Sequence, residues 1–316
     1  MYEAAYGTVY EGTFGDLPSA FKFYRNLKLA ADRCYDREVL ALTAVDEEVA
    51  LVELQMTKDI VSPHIVSIYD VLWDPFFENV VLVFELPFNN LFEVVHYYSH
   101  SPLPDTKELT STLKLEFIRD VVLAVEYLHD VKGIIHTDIN TQNILLFQTA
   151  TGNIIAKLGG LGVDQYLNHL SVDKVFGYTA DKYNKVYLDI IAPELLGIDG
   201  DSLVFTKQSD IWALGITMNE IMTERPPYPH AESYDYYIDN IKGKGKLPNI
   251  FIPNGSNIET FLRNIIIGPG NCCLAKVPEN RSCIAEISNI FTDTELAGEL
   301  LLDLRWILYY YYIYFL

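Results

Sequence analysis

The stretch Ile134–Leu146, IIHTDINTQNILL, places His136, Asp138 and Asn143 between two apolar runs. The stretch KLGGLG at 157–162 follows it. Ahead of both, apolar residues recur at helical spacing: Ile118, Val121, Val122, Val125 and Leu128. This spacing predicts a long amphipathic helix that delivers the chain into a polar loop.

Composition limits the class of partner. The chain has 316 residues, with 43 acidic and 23 basic side chains and a net charge of −20. Sequence-independent nucleic-acid binding needs a basic surface, and anionic membranes attract basic segments, so the charge argues against both partners. Half of the residues are hydrophobic, which allows a substantial core in one large two-lobed domain or in two ordinary domains.

The cysteines and the C-terminal run bear on location. Cys34, Cys272, Cys273 and Cys283 match neither a disulfide framework nor a zinc site. Buried thiols in a reducing compartment are the better interpretation, and no signal peptide opens the chain, so we expect a cytoplasmic protein. The aromatic run 306–316 is too short for a membrane span, which takes about 20 residues. It is a docking or interfacial segment, or the product of a truncated gene.

Secondary structure changes along the chain. Residues 1 to about 86 are predicted to form mainly strands with one helix, and later residues to be mainly helical. VVLVFE at 80–85 predicts a buried strand that ends before Pro87, and DIWALGITMNEI at 210–221 predicts an apolar helix. This order favours an α+β protein.

Several motifs in one order resemble those of eukaryotic protein kinases, between Gly7 and about Ile287. That family carries H-R-D-L-x-x-x-N in its catalytic loop, followed by D-F-G. Here HTDINTQN at 136–143 and GLG at 160–162 stand in their places. The other matching stretches are GTVYEG at 7–12, SAFK at 19–22, SPHIV at 62–66, LVFEL at 82–86, APE at 192–194, DIWALG at 210–215 and Arg281.

The resemblance implies a bilobal α+β fold. A small antiparallel β-lobe with one main helix would occupy 1–86, with a truncated first strand and an insertion at about 30–48. A larger helical lobe would occupy 87–300, and 301–316 would form an aromatic tail. Glu194 and Arg281 would form a buried ion pair.

The resemblance also implies an ATP site. Lys22 would hold the α- and β-phosphates, and Glu53 would orient Lys22 through an ion pair. Asp138 would orient and deprotonate a substrate hydroxyl, and Asn143 would bind a metal ion. The alternatives are surface charges for the first pair, and for Asp138 a loop aspartate that bonds its own backbone.

The expected nucleotide contacts are Gly7 in the phosphate loop, the apolar walls Val9, Ala20 and Leu145, the gatekeeper Phe84, and the hinge residues Glu85 and Leu86, together with Lys22. Plain core packing is the alternative for the apolar members. In the family the histidine at 136 packs and bonds backbone, and the aspartate at 210 anchors the catalytic loop.

Departures from the family pattern point away from catalysis. Gly160 stands where the D-F-G aspartate binds Mg²⁺, and glycine has no side-chain oxygen. Thr137 replaces the arginine that reads an activating phosphate, and Asn140 replaces the lysine that neutralises the γ-phosphate. Tyr2 and Ala4 replace two loop glycines that let the backbone approach phosphate.

We therefore expect a pseudokinase that serves as a regulatory or scaffolding module with protein partners. ATP binding would be weak, and a Mg²⁺ requirement is doubtful. Whether the chain is an enzyme stays open. The alternatives are a weakly active serine/threonine protein kinase and a decayed or fragmentary kinase.

Overall fold

The computed structural model describes residues 2–4, 7–24, 60–74, 79–97, 103–104, 109–161, 188–196, 204–231 and 233–292. Glu53, the predicted insertion at 30–48 and the aromatic tail lie outside the described residues. In the part of the chain that is described, no helix is long and apolar enough to cross a membrane.

Five antiparallel strands form the first sheet, in the order β1-β2-β3-β5-β4. They are β1 Tyr2–Ala4, β2 Gly7–Phe14, β3 Leu17–Tyr24, β4 Ile68–Asp74 and β5 Asn79–Glu85. A two-residue turn joins β2 to β3, with Gly15 first at φ +61°. A type II′ hairpin requires that positive φ at this position, which favours glycine. The strand predicted at 80–85 is confirmed as β5.

A second, three-stranded sheet lies between the first sheet and the helices. It pairs β6 Asn89–Asn90, β7 Ile144–Gln148 and β8 Ile154–Leu158 in that order. The strands β7 and β8 bring the two stretches that decide the fold side by side, because Ile144 lies opposite Leu158. The segment before β4 is tied to this sheet, since Leu158 N–H donates to His64 O at 2.8 Å.

Among the described residues, the α-helices of more than one turn all come after β6. They are α1 Leu91–His96, α2 Ser111–Glu126, α3 Lys207–Thr223, α4 Asn257–Ile267 and α5 Ile284–Thr292. Short π-helical turns cover Tyr127–Lys132 and Tyr237–Gly243. The predicted α+β architecture, a small antiparallel sheet followed by a larger helical part, is confirmed.

Two helices carry the core of the helical part. The predicted apolar stripe is buried on α2 and in the π-helical turn that follows it, where Leu128 lies, and each of its five members is at most 1% exposed. A capping box of Thr206 and Ser209 starts α3, which is buried along most of its length. A helix that is apolar on all sides belongs inside a core. The helix α3 is therefore a rigid support for the 136–143 loop, which bonds to its first turn.

One expectation about the cysteines is wrong. Cys272 and Cys273 are buried, and burial raises the pKa of the Cys273 thiol. Cys283 is exposed, because it lies at the surface just before α5, where its N–H donates to Glu286 Oε2 at 3.0 Å.

Candidate active site

Asp210, in the first turn of α3, holds the 136–143 loop from below. Its Oδ2 accepts from His136 N–H at 2.6 Å, and its Oδ1 accepts from Thr137 N–H at 2.8 Å. His129 Nε2 lies 2.8 Å from Oδ2. Asp210 is only 1% exposed, so these contacts stand in for water at a buried carboxylate.

His136 is fully buried and bonded at both ring nitrogens. Nδ1 accepts from Asp138 N–H at 3.2 Å, which leaves the proton on Nε2, and Nε2 donates to Gly159 O at 2.8 Å. The ring therefore joins the 136–143 loop to the end of β8. Both nitrogens are occupied, so this histidine has a positioning role rather than a catalytic one.

The carboxylate of Asp138 is bonded by two side-chain amides. Oδ1 accepts from Asn140 Nδ2 at 2.7 Å, and Oδ2 accepts from Asn143 Nδ2 at 2.8 Å. Asn143 Nδ2 also donates to Asp138 O at 2.9 Å. Because the nitrogen of Asn143 is committed to Asp138, its Oδ1 is the atom that remains for a cation.

Gly160 lies against the side chain of Asn143. A Cβ built at position 160 would lie 2.8 Å from both Cγ and Nδ2 of Asn143 and 3.0 Å from Oδ1. The backbone at Gly160 has φ +82°, a conformation that favours glycine. Any side chain at this position therefore requires Asn143 to move or the backbone to shift.

The predicted adenine walls form one small apolar cluster. Val9, Ala20, Phe84 and Leu145 pack together. The cluster is completed by Val66, Leu82 and Phe147, with Ile68, Leu86 and Ile155 packed against it. Val9, Ala20 and Leu145 are 3%, 1% and 8% exposed, so a flat ligand between them would need the walls to separate.

The hinge offers few backbone donors. Glu85 N–H donates to Ser67 O at 3.1 Å, and proline has no N–H at position 87. Leu86 is half-buried, and its N–H makes no hydrogen bond with the described residues. Among the hinge residues 85–87, Leu86 is therefore the one that can donate to a ligand.

Of the remaining predicted site residues, Lys22 and Gly7 are described by the structure and Glu53 is not. Lys22 is 8% exposed on β3, opposite Val9 of β2 and Leu82 of β5. Gly7 begins β2, opposite Tyr24. The proposed partner of Lys22, Glu53, lies outside the described residues, so the pairing of the two stays a prediction.

Comparison with known proteins identifies the family. The family described as "Protein kinase domain" matches residues 6–290. The chain is a protein kinase domain. It is 28% identical over 245 residues to the serine/threonine-protein kinase ssp1 of Schizosaccharomyces pombe, which covers 74% of this chain and 33% of that protein. It is 28% identical over 240 residues to the calcium/calmodulin-dependent protein kinase kinase of Caenorhabditis elegans, covering 74% and 38%.

A third relative is the serine/threonine-protein kinase SSN3 of Scheffersomyces stipitis, 23% identical over 239 residues and covering 72% of this chain. The matched segment spans 51% of that relative. The chain thus matches between a third and about half of the length of these three kinases.

The kinase domain contains an ion pair at the hinge that the sequence did not reveal. Lys157 Nζ donates to Oε1 and Oε2 of Glu85 at 2.8 and 2.7 Å, and Ser67 N–H donates to Oε1 at 2.7 Å. The Lys157 amine also lies 4.9 Å from the centre of the Phe147 ring. The sequence signal was weak, since 72 residues separate the two charges.

A second feature of the kinase domain concerns Thr137. It has φ +71°, which is rare for a β-branched residue, and its buried Oγ1 has no hydrogen-bond partner among the described residues. With Asp210 and Phe205 it lines a cavity with room for about one water molecule. This is the position of the family arginine, and the sequence carries no signal for an unsatisfied hydroxyl there.

The predicted pair between Glu194 and Arg281 is observed, but only Arg281 is buried and Glu194 is half-buried. Arg281 Nη1 and Nη2 donate to the two carboxylate oxygens of Glu194 at 2.6 Å each. The guanidinium also donates to Gln208 O and Ala275 O, and it lies 5.1 Å from the Trp212 ring centre. Each guanidinium nitrogen therefore donates at least one hydrogen bond, and Nη1 donates two.

Proposed function

We propose that this kinase domain is a pseudokinase: a cytoplasmic regulatory or scaffolding module that binds protein partners and does not transfer phosphate. The observation that carries the proposal is the contact between Gly160 and Asn143. The position that supplies the main magnesium carboxylate in kinases has no side chain, and the amide of Asn143 lies where that side chain would begin.

The described residues around Gly160 do not fit a resident Mg²⁺ ion. Mg²⁺ favours octahedral oxygen coordination that includes one or two carboxylates. Asn143 Oδ1 offers one neutral oxygen, and both carboxylate oxygens of Asp138 already accept amide hydrogen bonds. Among the described residues, no group of three or more histidine, cysteine, aspartate or glutamate side chains could hold a metal ion.

The phosphate side of the site is short of positive charge. Asn140 replaces a lysine ammonium with an amide that bonds Asp138 and closes the loop on itself. Losing one preorganised charge-stabilising donor costs roughly 10²–10³ in rate. Losing the metal ligand and the lysine together would therefore reduce turnover by about 10⁴ or more if their effects are independent.

We expect weak nucleotide binding with little dependence on magnesium. The apolar walls and Lys22 could receive a nucleotide. Separating the packed walls costs free energy, however, and the hinge supplies one N–H from Leu86. Without a carboxylate at position 160, the described residues offer magnesium only the neutral Oδ1 of Asn143, which would raise the affinity of its nucleotide complex little.

An active serine/threonine kinase is the second candidate function. It is favoured by the retention of Lys22, Asp138 and Asn143 and by the relatives that are named serine/threonine-protein kinases. In this case Asn143 alone, or a ligand outside the described residues, would have to hold the metal.

Calorimetric titration of the natural chain with ATP, with and without MgCl₂, tests the first proposal. We expect weak affinity that magnesium changes by less than about tenfold, which corresponds to 1.4 kcal/mol. Tightening by more than that would contradict the proposal.

A phosphoryl-transfer assay separates the two candidate functions. We expect no transfer to a generic serine/threonine substrate from the natural chain. Transfer that is abolished in Asp138→Asn would establish the active kinase instead, because a contaminating kinase would not respond to that substitution.

A further inference from the structure

Four lysines gather at the end of the π-helical turn Tyr237–Gly243. Three belong to the stretch KGKGK at 242–246, and the fourth, Lys276, reaches back to donate from Nζ to Gly243 O at 3.3 Å. We call these side chains the lysine patch: Lys242, Lys244, Lys246 and Lys276. The last three are exposed and Lys242 is half-buried.

Among the described residues, the patch has no acidic partner. Each amine donates to an uncharged oxygen: Lys244 to Asn240 Oδ1 at 3.2 Å, Lys246 to the Tyr236 hydroxyl at 2.6 Å, Lys276 to Gly243 O and Lys242 to Leu196 O. Within the described ranges, no carboxylate lies within 4.0 Å of a patch nitrogen. By contrast, Lys114, Lys157 and Lys207 each pair with an acid.

The described acidic residues nearest in sequence do not pair with the patch. Asp235, Asp239 and Glu279 are exposed, but none of them pairs with a patch lysine. Within the described residues the patch is therefore a group of basic side chains without an acidic partner, on a chain whose net charge is −20. A local potential of opposite sign to the whole protein is the property that directs a charged partner to one place.

The backbone of the patch is held in place before any partner arrives. Gly245 N–H donates to Ile241 O and Lys246 N–H to Asn240 O, each at 2.9 Å. Gly245 has φ +67°, a turn conformation that favours glycine. The Lys246 amine also lies 5.1 Å from the Tyr236 ring centre. An ordered loop loses less conformational freedom on binding than a mobile one.

The charge pattern favours a short acidic segment over an extended polyanion. Nucleic acid or a membrane would place negative charge along much of the protein, where an overall charge of −20 repels it. A short run of glutamate or aspartate could contact the patch alone. We infer that the lysine patch is a docking surface for an acidic peptide segment of a partner protein.

The patch lies on elements other than the nucleotide site, so its test is independent of the proposed loss of catalysis. The probe is a short fluorescein-labelled peptide of glutamate and serine, followed by fluorescence anisotropy with the whole chain. The same peptide with glutamine in place of glutamate is the control ligand. We expect binding of the acidic peptide only, weakening as salt is added because exposed charge pairs are screened.

Two charge reversals with the same effect on net charge locate the site. Lys244→Glu should weaken peptide binding by about tenfold, since it exchanges an attraction for a repulsion at an exposed site. Lys132→Glu reverses another exposed lysine, outside the patch, and should change binding by less than about twofold. Thermal melting of both variants checks that each is folded.

Three results would overturn the inference. The first is absence of binding by the acidic peptide at low salt. The second is equal weakening by Lys244→Glu and Lys132→Glu, which would reflect net charge alone. The third is Lys244-dependent binding of phosphatidylserine vesicles or of a single-stranded DNA oligomer that is stronger than binding of the peptide.

Discussion

The two sides of the 136–143 loop differ in how completely their polar groups are paired and how deeply they are buried. Below the loop, Asp210 accepts two backbone N–H groups and contacts His129, and Arg281 makes a two-bonded pair with Glu194. Above the loop, Gly160 supplies no ligand and Asn140 supplies an amide in place of an ammonium.

Burial explains why the two sides can diverge. Asp210 and Arg281 are 1% and 2% exposed. Removing Asp210 would leave buried N–H groups without an acceptor, and removing Arg281 would leave the half-buried Glu194 without its partner. Gly160 and Asn143 are half-buried beside the nucleotide site, and a lost metal ligand there leaves no stranded charge. The scaffold of a kinase domain is thus constrained by stability, whereas its metal ligands are constrained only by catalysis.

Thr137 lies at the boundary between the two sides. Its N–H belongs to the paired side because it donates to Asp210, while its hydroxyl has no partner among the described residues. The backbone strain of a β-branched residue at φ +71° adds to this cost. The neighbouring cavity has room for about one water molecule that could satisfy the hydroxyl.

The largest expected effect tests the lower side. Arg281→Ala leaves the Glu194 carboxylate without its partner and removes the bonds to Gln208 O and Ala275 O. We expect a loss of about 3 kcal/mol in the free energy of unfolding, the low end of the range for breaking a buried pair, because the Glu194 side chain is 27% exposed and stays partly hydrated. The measurement is the shift of the urea or thermal unfolding midpoint.

Arg281→Lys is the matched control, because it keeps the charge but loses the two-bonded geometry. We expect the stability of this variant to lie between that of the natural chain and that of Arg281→Ala. An Arg281→Ala protein as stable as the natural chain would contradict this contrast, because the side below the loop would then tolerate the removal of a side chain as well as the side above it.

The next effect tests the upper side. Gly160→Asp restores a carboxylate at the lost metal position, but its Cβ must first displace Asn143. If Lys22 and Asn143 can still reach the nucleotide, we expect ATP to bind at least about tenfold more tightly with Mg²⁺ than without it, or 1.4 kcal/mol. Calorimetric titration measures this difference directly.

Two substitutions separate charge from displacement. Gly160→Ala moves Asn143 without supplying an oxygen, and Gly160→Asn supplies an oxygen without charge. We expect no magnesium effect from the first and a small one from the second. A magnesium effect in Gly160→Ala equal to that in Gly160→Asp would show that freeing Asn143, rather than restoring the carboxylate, creates the metal site.

Residues that repeat with a period or belong to ordered motifs could be predicted from the sequence. The stripe on α2, the strand β5 and the helix α3 follow from apolar spacing, and all three are observed. The pair between Glu194 and Arg281 followed from the family resemblance, because the two residues occupy matching motif positions. The predicted roles of Lys22, Asp138 and Asn143 in phosphate and metal binding stay predictions.

Contacts that depend on backbone conformation could not be predicted. The approach of Asn143 to Gly160 requires the positive φ at Gly160 and the register of β7 against β8, neither of which a motif encodes. The Lys157 and Glu85 pair joins distant charges that have no shared pattern. The expectation that the cysteines are buried fails at Cys283, because composition does not reveal that this residue lies at a surface turn.

The smallest expected effect concerns the junction between the two parts of the fold. His64 O accepts from Leu158 N–H of β8, and its Nδ1 lies 3.5 Å from Asp120 Oδ1 of α2. Burial lowers the pKa of His64; Asp120 raises that pKa, and Arg119 and Lys157 lower it. The folded chain therefore binds a proton at His64 less readily than the unfolded chain, whose histidine pKa is about 6.5.

The sign of the pH effect follows from this difference. As pH falls from about 7 towards and below 6.5, the unfolded chain takes up protons first, so His64 makes folding less favourable in acid. We expect the natural chain to lose stability relative to His64→Asn over this range, measured as the difference between their urea midpoints at each pH. His230→Asn, which removes an exposed histidine, controls for the loss of one imidazole. If the natural chain instead becomes more stable relative to His64→Asn in acid, the effect of Asp120 on the pKa of His64 outweighs that of burial. The junction would then be held by a charged pair.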